Sequence, residues 1–404
     1  MWTRAALLLC LLQLLVAAAV PSEWTGMLPG AAPGVQLFGW LFESPRPRAP
    51  LLVWLQGGPG ASSLFGAFQE NGPYRIDPDT LLRVPNQHSW LQYASLLYID
   101  SPAGTGFSQG RLATNGSTLA ADMSSALRQF YKSHSEYSDR DLYISGESFA
   151  GHMIPQIALQ LMREGELPLR GVAMGDGWSS PIYQNGAWAE VGESFGLLNA
   201  HQKEAVDKQY AHCKELIEQR QFVASLQYCY SSLLGLVSNF SGNVNVYDIR
   251  MGSESHDFSS VGRYLNQPAL KASIGVSENW SSFSPAVEAA LEGEYSRDVT
   301  PDIAALLDRY ELKVLVYSGQ FDLICCALGT DRWVAAMDWK GKREYGAADR
   351  HPWYVNSSVL AGYTQVSGLL RRVVVSNAGH YVPYDQPEAS AQMIREFLLH
   401  SDDQ

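Results

Sequence analysis

The sequence predicts the α/β class: a mostly parallel central sheet with helices packed on it and a helix-rich insertion. Three observations predict it. Short, uniformly apolar runs recur, and each stops at glycine, proline or aspartate; apolar residues at helical spacing lie between several of them; one long polar stretch interrupts the alternation. Continuous apolar strands suit a sheet buried on both faces, and strand–helix alternation makes neighbouring strands parallel.

The runs come in order along the chain. Leu51–Leu55 leads into Gln56-Gly57-Gly58-Pro59-Gly60, and Ser95–Ile99 into Asp100-Ser101-Pro102. Residues 141–144 lead into Gly146-Glu147-Ser148, and 171–174 into Gly175-Asp176-Gly177. Residues 313–317 lead into Ser318-Gly319, and 372–375 into Asn377-Ala378-Gly379-His380. Helical patterns cover 118–131, 155–162 and 387–399, with Pro387 suited to a first helical turn. Residues 179–301 are polar, helix-rich around 200–234 and without buried-strand patterns. They read as a cap between a first core segment, 20–178, and a second, 302–404. A separate C-terminal domain is the competing organisation, and the apolar runs after residue 310 favour the insertion.

With 404 residues, 46% of them hydrophobic and 17% charged, the chain can bury a sizeable core. The net charge, 29 − 41 = −12, repels phosphate backbones, so nucleic acid is not an expected partner. No metal or other cofactor is expected, and nothing bears on oligomeric state. Residues 1–19 read as a signal peptide: Arg4, then an apolar run to Val16, then Ala17-Ala18-Ala19, with cleavage near Ala19. That run falls short of the ~20 residues that span a bilayer, so no membrane anchor is expected. Sequons at Asn115, Asn239, Asn279 and Asn356 suit glycosylation in the secretory pathway, in a secreted or lysosomal protein. Cys10 leaves with the signal. Cys213, Cys229, Cys325 and Cys326 allow three pairings; a bridge between the adjacent two would be strained, so Cys213–Cys229 is the plausible disulfide.

Ser148 sits at a strand-to-helix turn in Gly146-Glu147-Ser148-Phe149-Ala150-Gly151. A tight elbow there exposes the hydroxyl above the sheet, although a Gly-x-Ser turn alone is more often structural. The α/β-hydrolase fold orders its triad serine, acid, histidine, and Asp322 and His380 follow apolar runs downstream in that order. Histidine takes the serine proton, and the aspartate holds its tautomer. Asp176 is the competing acid, though a turn-forming role between two glycines suits it better. His351 and His400 suit surface or packing roles. The Gln56–Gly60 turn and the N–H of Phe149 could form an oxyanion hole.

Together these segments resemble the serine carboxypeptidase family. The matching stretches are Trp54-Leu55-Gln56-Gly57-Gly58-Pro59-Gly60-Ala61-Ser62-Ser63, Asp100-Ser101-Pro102-Ala103-Gly104-Thr105-Gly106-Phe107-Ser108, Gly146-Glu147-Ser148-Phe149-Ala150-Gly151 and Gly379-His380-Tyr381-Val382-Pro383-Tyr384-Asp385-Gln386-Pro387. Gly175-Asp176-Gly177, Gly196-Leu197-Leu198 and Met337-Asp338-Trp339-Lys340-Gly341 resemble its vitellogenic-like branch. The resemblance implies an α/β-hydrolase that releases C-terminal residues from peptides and proteins, best in acid, through an acyl-enzyme. It implies the triad Ser148, Asp322 and His380, an oxyanion hole at Gly58 and Phe149, and a substrate-carboxylate site at Gln56, Gly57, Glu70 and Glu147. Two neighbouring carboxyls retain a proton, which can be donated to the substrate carboxylate. This chain departs from many relatives at Gln56, Ala61 and Phe149, where asparagine, cysteine and tyrosine are common; Cys325 falls where some carry a thiol. The alternatives are a catalytically silent homologue acting as a binding or stabilising protein, or an esterase or acyltransferase with the same triad. The glutamate pair discriminates, because a carboxylate grip is wasted on a neutral ester.

Overall fold

The computed structural model describes residues 21–399. The expected signal segment, Cys10 and His400 lie outside them. The strands are β1 (Glu23–Pro29), β2 (Gln36–Phe42), β3 (Leu51–Leu55), β4 (Tyr74–Ile76), β5 (Arg83–Pro85), β6 (Ser95–Ile99), β7 (Leu142–Glu147), β8 (Leu169–Gly175), β9 (Lys313–Gly319), β10 (His351–Val355), β11 (Val359–Ser367) and β12 (Leu370–Val375). β4 and β5 pair alone; the other ten form one sheet in the order β1-β2-β6-β3-β7-β8-β9-β12-β11-β10.

The six apolar runs are the six central strands, and all of them pair in parallel. β3 and β6 are buried at every position, as strands covered on both faces must be. The flanking strands, β1 and β2 on one side and β11 and β10 on the other, are antiparallel. Two apolar layers form the core, one on each face of the sheet.

Register brings the chemistry to one edge. Leu55 is level with Gly146, Glu147 with Gly175, and Gly175 with Tyr317. The residues after these pairs, Gln56, Ser148 and Asp176, therefore emerge side by side at the carboxyl ends of the strands. Asp322 and His380 follow β9 and β12 at the same edge.

The helix after β7 runs Ala150–Glu164, five residues longer at its start than the apolar spacing predicts, so Pro155 lies inside it. Proline there cannot donate to the carbonyl of Gly151. Ser179 Oγ donates to that carbonyl instead, at 3.0 Å, so the helix continues. Between β8 and β9 the described residues form helices, among them Ala200–Glu218 and Thr300–Tyr310, and no sheet strand. Cys213 and Cys229 are joined within this stretch, while Cys325 and Cys326 are free and buried. Asn239, Asn279 and Asn356 are exposed; Asn115 is half-buried and caps the helix Gly116–Ser133, accepting from Thr118 N–H. His351 is exposed on β10. No helix among the described residues is long and apolar enough to cross a membrane.

Candidate active site

Ser148 leaves β7 and enters the helix Ala150–Glu164 with φ of 60°, in the left-handed region that costs a non-glycine residue on the order of 1–3 kcal/mol. Neighbours hold it there: its N–H donates to Gly175 O at 3.0 Å, and its carbonyl accepts from Trp178 N–H at 2.8 Å. Such an elbow needs small residues around it. A Cβ on Gly57 would lie 2.5 Å from Ser148 Cβ and 2.6 Å from Phe149 N. Gly151 meets Gly177 equally closely, 2.6 Å from Cβ to Cα. That contact explains the shifted motif: close approach falls on residue 151, so residue 150 can be alanine. Ser148 is half-buried while Leu142–Glu147 is wholly buried.

His380 Nδ1 lies 2.9 Å from Asp322 Oδ2, with both side chains buried. Asp322 Oδ1 also accepts from Cys325 N–H at 3.2 Å. The histidine loop is fixed from the segment between β8 and β9: His380 N–H donates to Tyr247 O at 2.7 Å, and the two rings lie 5.0 Å apart. Ser148 and His380 line one cavity of about 540 Å³, with no hydrogen bond between their side chains. Cys325 lines it too, its thiol pushed well up, first by burial and then by the Asp322 charge.

Across from the histidine, the N–H groups of Gly58 and Phe149 donate to nothing among the described residues. Both residues line the cavity. Two uncommitted N–H groups beside a serine hydroxyl can receive a developing oxyanion. Asp100, where β6 ends, anchors this loop. It accepts from Ser62 Oγ at 2.5 Å, Ser63 N–H at 2.9 Å and Phe107 N–H at 3.0 Å. Tyr295, between β8 and β9, donates to Gly58 O at 3.0 Å, and its ring lies 5.1 Å from Phe149.

Behind Ser148 lies a buried carboxyl pair. Gln56 Nε2 donates to Glu147 Oε1 at 2.6 Å and to Glu70 Oε1 at 3.2 Å; Gln56 Oε1 accepts from Trp54 Nε1 at 2.9 Å. The second oxygens of Glu70 and Glu147 have no donor among the described residues, although the two carboxyls meet. Two carboxylates cannot hydrogen-bond each other without a proton. Burial pushes Glu70 up from 4.5 to about 7, and pushes Glu147 well up as well, with the Glu70 charge adding to it. A proton on the pair satisfies the geometry. Gln56, Gly57 and Glu147 line the cavity; Glu70 stands behind them and reaches it through Glu147.

Sequence reasoning missed the aromatic walls. Tyr230, Tyr247, Phe258, Trp280, Phe283 and Tyr295 all come from the segment between β8 and β9. Isolated aromatics in a helical stretch carry no periodic signal, so only the fold gathers them. Asp176, the competing acid that suits a turn better, does lie at the bend after β8; what sequence reasoning missed is its full burial against Asp322.

The model of the serine carboxypeptidase family matches residues 20–400. Serine carboxypeptidase-like 48 of Arabidopsis thaliana is 35% identical over 90% of this chain and 75% of its own length. A human protein named "Probable serine carboxypeptidase CPVL" is 36% identical over 90% of this chain and 80% of its own. Among solved structures, Kex1Δp, a prohormone-processing carboxypeptidase from Saccharomyces cerevisiae, superposes with a TM-score of 0.86 at 23% identity. It covers 95% of this chain and 92% of its own, and shows the fold.

Proposed function

The chain belongs to the serine carboxypeptidase family, and from that premise we propose residue roles for its hydrolysis of C-terminal peptide bonds. Ser148 Oγ attacks the scissile carbonyl while His380 takes its proton, and Asp322 holds the ring with Nδ1–H toward it. The N–H groups of Gly58 and Phe149 receive the oxyanion. His380 then protonates the leaving amine, and water releases the acyl group from Ser148 by the same steps in reverse.

The leaving amino acid carries a free carboxylate. The observation that supports carboxypeptidase chemistry over general ester hydrolysis is the buried Glu70–Glu147 pair bridged by Gln56 beside Ser148. In acid both carboxyls retain a proton, so Glu70 O–H donates to Glu147 and Glu147 O–H donates to that carboxylate, with Gly57 N–H beside it; Gln56 is committed to holding the pair together. Substrates are peptide and protein C-termini, and activity is highest in acid, where both protons are retained. Residues 179–301 act as the cap that supplies the cavity's aromatic walls. Residues 1–19 direct the chain into the secretory pathway, to a lysosomal or extracellular destination, with glycans at the four sequons.

A fluorophosphonate probe tests the nucleophile. It labels the wild type and not Ser148→Ala, which stays folded and loses several orders of magnitude in rate. Equal labelling of the two proteins would remove Ser148 from the mechanism.

A further inference from the structure

Asp176 takes no part in the steps above, yet it is fully buried beside them. It follows β8 with φ of 42°, a left-handed conformation that aspartate adopts when held. Its N–H donates to Tyr317 O at 2.8 Å, and its Oδ1 accepts from Gly319 N–H at 2.8 Å. These two bonds tie β8 to β9, and the Asp176 side chain meets the carboxyl of Asp322. Oδ2 has no donor among the described residues. Asp322 is served by two: His380 Nδ1–H and Cys325 N–H.

Charge cannot resolve the contact. The nearby cation is Arg372 on β12, and its guanidinium is committed to Asp331 and to the carbonyls of Val373 and Ala327. The other titratable groups facing Asp176 are Glu147, Tyr317 and Cys325, with His380 beyond Asp322. None of them supplies a donor to Oδ2. Two ionised carboxylates in contact away from solvent repel, and each is acceptor-only. One proton on Oδ2 turns that contact into a hydrogen bond.

On the triad roles proposed above, we propose that Asp176 is a positioning residue: it stays protonated and donates its O–H to Asp322, so that the two carboxyls present one negative charge to His380. The charge rests on Asp322, the member with more donors. Burial and the Asp322 charge also push the Asp176 carboxyl well above the ordinary carboxylate range. This has a consequence for acid work. A second negative charge behind the imidazole would stabilise imidazolium and deny the serine a base at low pH. A neutral acid there fixes Asp322 without that penalty.

Hydrolysis of an ester substrate, which does not need the carboxylate grip, reads the test as kcat/KM and kcat against pH. Asp176→Ala leaves Asp322 without its donor; kcat falls about tenfold or more and the acid limb moves to higher pH. Asparagine copies the protonated acid, accepting from Gly319 and donating to Asp322, so Asp176→Asn restores the rate and keeps the wild-type limb. If Asp176 were ionised, Asp176→Asn would remove a charge behind His380 and lower the limb by on the order of one pH unit; that result overturns the proposal. Infrared difference spectroscopy of wild type against Asp176→Asn gives a second measurement should the alanine variant not fold. A protonated-carboxyl stretch present at neutral pH only in wild type supports the proposal, and no such difference refutes it. Loss of probe labelling or ester hydrolysis in wild type would instead sink the triad reading itself.

Discussion

Glu70→Gln offers a quantitative test of the proton held between Glu70 and Glu147. In the folded chain burial pushes Glu70 up from 4.5 to about 7, while in the unfolded chain it titrates as an ordinary glutamate near ~4.3. Between those values the folded state binds more protons than the unfolded state. Stability therefore falls as pH rises through that window, and the contribution present below pH ~4.3 is lost above about 7. The rise from 4.5 to about 7 corresponds to about 3 kcal/mol. Glutamine keeps the shape, accepts from Gln56 and donates to Glu147, so it behaves as glutamate that never loses its proton. Urea unfolding followed by tryptophan fluorescence, at steps from pH 4.5 to 8, gives the two curves. The variant should match wild type in acid and exceed it by up to about 3 kcal/mol at pH 8. Parallel pH dependences in the two proteins would mean that Glu70 ionises normally and that no proton is shared.

Two substitutions probe the geometry around Ser148. Asp322→Asn should lower kcat by about 10⁴ with little change in KM, because asparagine leaves His380 in the wrong tautomer; steady-state kinetics on a blocked dipeptide reads it, and a loss below tenfold would reassign the acid. Gly57→Ala should cost stability of about 1–3 kcal/mol and roughly 10²-fold in kcat, since its methyl meets the backbone of Glu147 and Phe149, which cannot yield without moving the elbow. Thermal unfolding and kinetics measured together test this, and a fully active Gly57→Ala enzyme would contradict the packing argument.

The parts of the fold legible in the sequence were those set by burial. Six strands covered on both faces leave continuous apolar runs, and each run ends where the chain must turn at the edge that carries Ser148, Asp322 and His380. β1 and β10 are half-exposed or mixed along their length, so neither period nor composition separates them from loop. β2 is nearly all buried, yet Gly39 in its middle breaks the pattern. Pro155 hid the true start of its helix, because the carbonyl it abandons is satisfied by Ser179, 28 residues away in sequence. The proximity of Asp176 to Asp322 depends on β8 lying beside β9 although a long helical segment separates them in sequence. No local pattern carries that adjacency, and the same holds for Tyr247 over His380 and Tyr295 against Gly58.

The direct measurement of carboxylate recognition is kcat/KM against pH for a blocked dipeptide and its methyl ester, in wild-type protein. The free acid places its carboxylate against Glu147. As pH rises through about 7 Glu70 ionises and takes the Glu147 O–H as its own donor, the substrate carboxylate loses that donor and meets a negative pair, and cleavage of the acid should fall. The ester carries no such charge; its rate should follow the neutral form of His380 and stay high into more alkaline solution. Two separated profiles, the acid substrate optimal at lower pH than the ester, are the expected result. Superimposed profiles would contradict the glutamate grip and favour a general esterase.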